Sequence, residues 1–384
     1  MIRSIPVLLL MGAIFLAACK KTDSPAATPT PTTPPIPAST TAVRGVWLTN
    51  VASQALYSSA NLRTAVQNCA QNGINHIFVV TWNKGYTLYP SDVMTRTFGV
   101  SNIEPALQGR DPLREVLDEA KKYNIKVYAW FEYGFAADNS GLGEHILRLK
   151  PNWAALGADG KIVTKNGFRW MNALDPEVQD FMLSLLKEVA QKYPDLDGIQ
   201  GDDRLPALPA ECGYNPGVVE RYKAENGGAV PPSDPKNVAW TDWRAKKLND
   251  FMKRLYTELK QVRPSLKISM APSIFPFAKT EYLQDWPTWV ANGWVDMVCP
   301  QVYRYNIADY RAELTKIVQQ QVSMDKRSLV APGVLLKVGT YTPTSAFLQQ
   351  MIDANRQAGL TGEVFFFYEG IKDNPDFFRT YSEK

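Results

Sequence analysis

Eight short apolar runs recur from Arg44 onward, each followed by a stretch with helical patterning. They span Arg44–Asn50, His76–Trp82, Lys126–Tyr133, Asp197–Asp203, Lys267–Ser273, Asp296–Tyr303, Ser328–Leu336 and Gly362–Glu369. All are rich in Val, Ile, Phe and Tyr, and several are apolar almost throughout, as parallel strands covered by helices must be. Helical periodicity fills Leu62–Gln71, Leu113–Tyr123, Pro176–Tyr193, Thr241–Val262, Ala308–Gln321 and Thr344–Ala358. The Pro176 helix has a clear start, with Asp175 as N-cap and proline at the first helical position. Repeated strand–helix alternation predicts an α/β chain folded as a single closed (β/α)8 TIM barrel over residues 44–384. In such barrels the strand ends that lead into the helices carry the chemistry.

Three connections from strand to helix are long: Asn83 to Asp111 after strand two, Gly134 to Asn172 after strand three, and Arg204 to Pro235 after strand four. Loops of this length in a compact fold usually line a binding cleft.

The first 18 residues read as a signal peptide, with Arg3 before the apolar run Ile5 to Phe15, which is too short to span a bilayer. It closes on Leu16-Ala17-Ala18-Cys19, which resembles a bacterial lipobox and implies cleavage before Cys19 and acylation of its thiol. Residues 19–43, Pro- and Thr-rich, bury too little to offset their ordering entropy, so a disordered tether is expected. The expected location is the bacterial cell envelope, lipid-anchored and facing the periplasm or the exterior. Net charge is +4 with both signs interspersed, so no nucleic-acid partner is expected; the barrel is expected to be monomeric. Cys69, Cys212 and Cys299 lack metal-type spacing and read as buried free thiols, with one disulfide between two of them as the alternative in an oxidising compartment.

Strand periodicity sorts the candidate groups. In strand three, Val127, Ala129 and Phe131 suit the helix layer, leaving Tyr128, Trp130 and Glu132 facing the axis. In strand four, Gln200 and Asp202 face inward, with Asp203 just beyond. Gln301 and Tyr303 face inward in strand six. Both faces of strand eight are aromatic, and one phase points Glu369 inward. A carboxylate inside a barrel is costly unless paired, hydrogen-bonded or used, so Asp202, Asp203, Glu132 and Glu369 are the catalytic candidates. Aromatic rings gather in the same segments: Trp47, Trp82, Tyr86, Tyr89, Trp130, Trp170, Tyr303 and Tyr368. Six of them, Trp47, Trp82, Tyr86, Trp130, Tyr303 and Tyr368, form the candidate substrate contacts with Arg169 and Gln301, since sugar faces stack on such rings.

Only two histidines exist, His76 and His145, and no zinc, serine-elbow, Walker or dinucleotide pattern is present. Carboxylate-only chemistry is what glycoside hydrolysis uses. No cofactor or metal is expected. A sugar-binding barrel without turnover, and a divalent cation held by Asp202 and Asp203, are the competing readings. Neighbouring strands lie about 4.8 Å apart. Asp202 with Glu132 would therefore suit a retaining pair at roughly 5–5.5 Å, and Asp202 with Glu369 an inverting pair at roughly 6.5–9.5 Å.

Six segments in order carry a resemblance: Arg44-Gly-Val-Trp-Leu-Thr-Asn50, Trp82-Asn-Lys-Gly-Tyr-Thr-Leu-Tyr-Pro90, Trp130-Phe-Glu-Tyr-Gly134, Asp197-Gly-Ile-Gln-Gly-Asp-Asp203, Pro300-Gln-Val-Tyr303 and Phe365-Phe-Phe-Tyr-Glu369. Together, from about Arg44 to about Phe378, the chain resembles the glycoside hydrolase-like 10 family. The resemblance implies a TIM-barrel bacterial glycosidase, secreted or lipid-anchored, acting on a polysaccharide; some relatives act on peptidoglycan glycan strands. The chain departs from the family pattern at Gly201 and Arg204, where bulky and aromatic or histidine residues are usual. Glu132 stands where many members carry Asn.

Overall fold

The β-branched and aromatic runs form eight strands: β1 Arg44–Leu48, β2 His76–Val80, β3 Lys126–Phe131, β4 Gly198–Asp202, β5 Lys267–Ala271, β6 Met297–Val298, β7 Gly333–Leu335 and β8 Glu363–Phe366. The outer layer contains α1 Ser59–Gln71, α2 Pro112–Lys121, α3 Pro176–Lys192, α4 Val238–Val262, α5 Trp286–Ala291, α6 Ile307–Lys316, α7 Ser345–Gln357 and α8 Pro375–Ser382. The computed structural model describes residues 42–99, 103–139 and 141–382. The expected signal peptide, the acylated Cys19 and the tether through residue 41 lie outside the described residues. Val43, assigned to the tether by composition, already accepts from the Glu363 N–H at 2.9 Å.

All eight strands pair in parallel, in the order β6-β5-β4-β3-β2-β1-β8-β7. The edge strands β6 and β7 meet through parallel bridges at Val298–Val330 and Gln301–Gly333. There the Ala331 and Gly333 N–H groups donate to Val298 and Pro300 carbonyls at 2.9 and 2.8 Å.

Amphipathic helices cover the outside. α1 buries Leu62, Ala65, Val66 and Cys69, a single stripe at helical spacing, and Ser58 caps it by accepting from the Asn61 N–H. α3 begins as its sequence predicts, with Asp175 accepting from the Glu177 N–H and Pro176 in the first turn. Inside the sheet, ring packing and one polar chain fill the axis. Trp47 Nε1 donates to Gln200 Oε1 at 2.7 Å, and Gln200 Nε2 donates to Ser269 Oγ at 2.9 Å. Gly198 makes room for the Tyr128 ring, which would lie 2.3 Å from any Cβ there.

The structure shortens two strands. β6 is regular only at Met297–Val298, and β7 only at Gly333–Leu335 after a 3-10 turn at Met324–Leu329. Pro300 and Pro332 have no N–H to extend the ladder. α5 and α8 carry no sequence expectation because six- and eight-residue helices show too little periodicity to stand out. The three long connections hold their own elements: a hairpin of Trp82–Asn83 with Tyr86–Thr87, an antiparallel sheet of Ala136–Asn139, Thr164–Lys165 and Phe168–Trp170, and a helix at Pro216–Glu225. Cys69, Cys212 and Cys299 are buried free thiols.

Candidate active site

The register of β3 against β4 pairs Trp130 with Gln200 and Phe131 with Gly201. Glu132 and Asp202 therefore follow at the same level, at the ends of adjacent strands. Beyond Asp202 the chain turns back at once, and the Leu205 N–H donates to the Asp202 carbonyl at 3.2 Å. Two glycines permit that turn. A Cβ on Gly201 would lie 2.7 Å from the Leu205 carbonyl oxygen, and one on Gly134 (φ +49°) would lie 2.2 Å from that of Arg204. The same Arg204 carbonyl accepts from the Phe135 N–H at 2.9 Å, which ties the β3 and β4 loops together.

This folding places the Arg204 guanidinium among the acids. Its Nε donates to the Glu132 carbonyl at 2.9 Å, Nη2 to Asp202 Oδ2 at 3.3 Å, and Nη1 pairs with Asp203 Oδ1 at 3.2 Å. The Arg204 backbone N–H donates to Asp202 Oδ1 at 3.0 Å. Its charged plane lies near the faces of Phe168 and Tyr133, 4.9 and 5.7 Å from their centroids. Gly201 and Arg204, the two departures from the family pattern, thus belong to one device. The first makes space for the turn that delivers the second. A divalent cation on Asp202 and Asp203 would have to displace this guanidinium.

Asp202 is 2% exposed. Burial pushes its carboxyl well above the usual range, Arg204 pulls it down, and Asp203 and Glu132 push it up again. Burial likewise raises Glu132, against the pull of Arg204 and of an Asn83 hydrogen bond. The Tyr303 phenol is raised by burial and by the neighbouring Asp203 and Asp202. A small cavity of about 130 Å³ collects these groups, lined by Trp47, Trp130, Glu132, Asp202, Asp203, Arg204, Ala271, Gln301, Tyr303 and Phe366. The buried Trp130 Nε1–H has no hydrogen-bond partner among the described residues.

Seven sequence candidates therefore meet in one place: Asp202, Asp203, Glu132, Trp47, Trp130, Gln301 and Tyr303. Five do not. Trp82 is fully buried in the helix layer, donating to the Gly134 carbonyl at 3.0 Å and packing edge-on against Phe181. Tyr86 lies in the hairpin after β2 with its ring 4.6 Å from that of His145. Arg169 pairs with Asp138 and Glu144 in the β3 connection. Glu369 and Tyr368 fall in a 3-10 turn, because β8 ends at Phe366 and the strand phase that would aim Glu369 inward stops with it. Glu369 accepts there from Ser53 Oγ at 2.8 Å and from Lys372 Nζ at 2.7 Å, in a different cleft. Tyr89 and Trp170 are also buried, Tyr89 donating to Glu188 at 2.8 Å.

Sequence reasoning missed Phe366, hidden by the aromatic ambiguity of strand eight, and Asn83, whose position in the Trp82–Pro90 segment was the available signal. Asn83 Nδ2 donates to Glu132 Oε2 at 2.8 Å and to Asn50 Oδ1 at 2.6 Å. Asn50 in turn donates to Glu104, which also accepts from the Tyr57 hydroxyl at 2.8 Å. Asn50, Asn83 and Glu104 are all buried, so a closed polar chain holds one oxygen of Glu132.

A parallel α/β sheet with carboxylates at its strand ends is the architecture of many glycoside hydrolases, and solved structures of that kind share this fold. The glycoside hydrolase domain of PgaB (BpsB) from Bordetella bronchiseptica superposes with TM-score 0.63 at 12% identity, covering 88% of this chain and 97% of that one. The catalytic domain of β-amylase from Paenibacillus polymyxa gives 0.58 at 10% identity, over 86% and 93%. The chain belongs to the glycosyl hydrolase-like 10 family, which matches residues 42–342. The match ends before β8, so the Phe365–Glu369 segment lies beyond it. The chain is similar to glycosyl hydrolase DigH of Escherichia coli strain K12, 28% identical over 345 aligned residues, 78% of this chain and 74% of that protein. It is also similar to glycosyl hydrolase YngK of Bacillus subtilis, 22% identical over 305 residues, 70% and 56%.

Proposed function

We propose that this protein is a glycoside hydrolase in which Asp202 and Glu132 form the working pair at the mouth of a closed (β/α)8 TIM barrel, cutting a polysaccharide held between the long connections after β2, β3 and β4. The observation that carries this reading is two buried carboxyls at the same level on adjacent strands, both pushed above the ordinary carboxylate range. Burial favours the neutral form at both. Hydrogen bonding separates the roles. Both Asp202 oxygens accept donors from Arg204, which favours its anion as nucleophile or base. Glu132 accepts one amide donor on Oε2, leaving Oε1 to carry a proton to the leaving oxygen. Adjacent strands favour the shorter spacing of a retaining enzyme.

A leaving-group series tests the assignment. Glu132→Gln should regain turnover on an aryl glycoside whose phenolate departs unaided, whereas Asp202→Asn should not. Equal rescue of both would reverse or remove the roles. Binding of glycans without turnover in the parent protein would instead support a sugar-binding barrel, a reading favoured by the occupation of both Asp202 oxygens. Bacterial cell-wall glycan strands and plant polysaccharides are the first substrates to screen. The Leu-Ala-Ala-Cys19 segment supports lipid anchoring in the cell envelope. Cys19→Ala should release the protein from membranes with activity unchanged, and continued retention after signal cleavage would exclude an acyl anchor.

A further inference from the structure

A second cavity, larger than the one that contains Asp202, lies elsewhere in the fold. A cleft of about 840 Å³ lies between α1 and the turn after β8, and it shares no lining residue with the Asp202 pocket. One wall is a polar stripe of α1. Asn61, Thr64 and Asn68 recur at helical spacing down to the cap residue Asn72, beside the stripe that α1 buries. At about 1.5 Å per residue this stripe runs roughly 16 Å, the length of an extended ligand rather than a single ring. The other wall is the turn that contains Tyr368, Glu369 and Lys372.

The chemistry of the lining is specific. Carboxamides and hydroxyls are the commonest lining groups. Asn61, Asn68 and Asn72 each spend one amide hydrogen within the fold, and a carboxamide carries a second hydrogen and an acceptor oxygen besides, the mixed set that sugar hydroxyls require. The charges cancel within the cleft, because Lys372 Nζ donates to Glu369 Oε2 at 2.7 Å. Tyr368 is held in place by Asn68 Nδ2, which donates to its hydroxyl at 3.1 Å, and its ring is partly exposed. The volume falls in the range of roughly 300–1,000 Å³ usual for small-ligand sites. A polyanion finds no net positive charge in such walls.

We infer that this cleft is a second saccharide-binding site, separate from the proposed hydrolytic pocket, which takes an extended stretch of neutral glycan. The choice of a saccharide rests on the hydrolase reading; the cleft and its neutral polar lining do not. It also gives Tyr368 and Glu369 a place that the Asp202 pocket denies them.

The test is calorimetric titration of the Asp202→Asn protein with chitotetraose, cellotetraose and tetragalacturonate. Asn61 and Thr64 are exposed, so Thr64→Trp and Asn61→Trp, each combined with Asp202→Asn, fill the cleft without disturbing the core; unchanged melting temperatures check this. The expected result is a binding event for a neutral tetrasaccharide that both tryptophan variants lose or weaken at least about tenfold, equivalent to about 1.4 kcal/mol. Binding equal to the parent in both variants would overturn the inference, as would selection of tetragalacturonate or no heat with any tetrasaccharide. Failure of the two readings is separable. Cleft binding in a protein that hydrolyses nothing removes the hydrolase reading alone, and turnover with unaffected binding in the variants removes the cleft alone.

Discussion

Arg204 holds both carboxylate oxygens of Asp202, its backbone N–H donating to Oδ1 at 3.0 Å and Nη2 to Oδ2 at 3.3 Å. An acid gripped in this way has one geometry, and the grip comes from the residue two positions on in the same turn. Its consequences can be measured one at a time.

Asp202→Asn preserves shape while removing charge and basicity. Turnover should fall at least about 10³-fold, within the range expected for loss of one acid/base group. The same change at Asp203, which is paired with Arg204 at the cavity edge, should cost less. Initial rates decide: more than about a tenth of activity remaining in Asp202→Asn would take this residue out of the mechanism.

The raised carboxyl of Asp202 also links stability to pH. Its folded pKa lies above the unfolded value of about 3.9, so the native state holds its proton more tightly. That contribution is complete below the unfolded pKa and is lost as pH rises through the folded one. Asp202→Asn, which cannot titrate, should therefore lose less melting temperature than the parent as pH rises above about 4. Parallel melting curves for the two proteins would contradict the shift.

Asn83→Ala removes the side-chain hydrogen bond that, together with the charges of Arg204 and Lys84, holds down the Glu132 carboxyl. Its pKa should rise further. If Glu132 must be protonated to act, the alkaline limb of the rate profile should move to higher pH. A limb that stays in place would mean that Glu132 is not the titrating acid.

Trp130→Phe deletes an indole N–H that has no partner among the described residues. Stability should hold or improve slightly, because a buried unpaired donor is costly. Glycan affinity should drop by about one hydrogen bond, roughly 0.5–1.5 kcal/mol. Unchanged affinity in a titration would show that substrate does not use this group.

Gly134→Ala meets both a left-handed backbone and the Arg204 carbonyl at 2.2 Å, whereas Gly99 (φ +77°) has nothing within 4 Å of its added methyl. Gly99→Ala should cost only the backbone strain, about 1 kcal/mol. Gly134→Ala should cost more and also lower activity, since the β4 turn must shift. Equal melting losses with full activity in both would sever the turn from the site.

The order of strands and helices was legible in the sequence because burial between a sheet and its helices imposes a local period on each segment. That period also placed Trp130, Gln200, Asp202 and Gln301 on the axis, as β3, β4 and the residues after β6 have them. It failed where regular structure stopped. Glu369 lies past the last residue of β8, so alternation had nothing to act on, and Trp82 entered the helix layer once β2 had ended at Val80. Arg204 was visible only as a residue out of place. Its partners lie just past β3, on β4 and at Phe168 in the antiparallel sheet, and only the turn that Gly201 and Gly134 allow brings its charge to Asp202. Local periodicity encodes the layers and the acid at the end of strand four. Which groups surround that acid was decided by contacts between segments far apart in the chain, which no local period encodes.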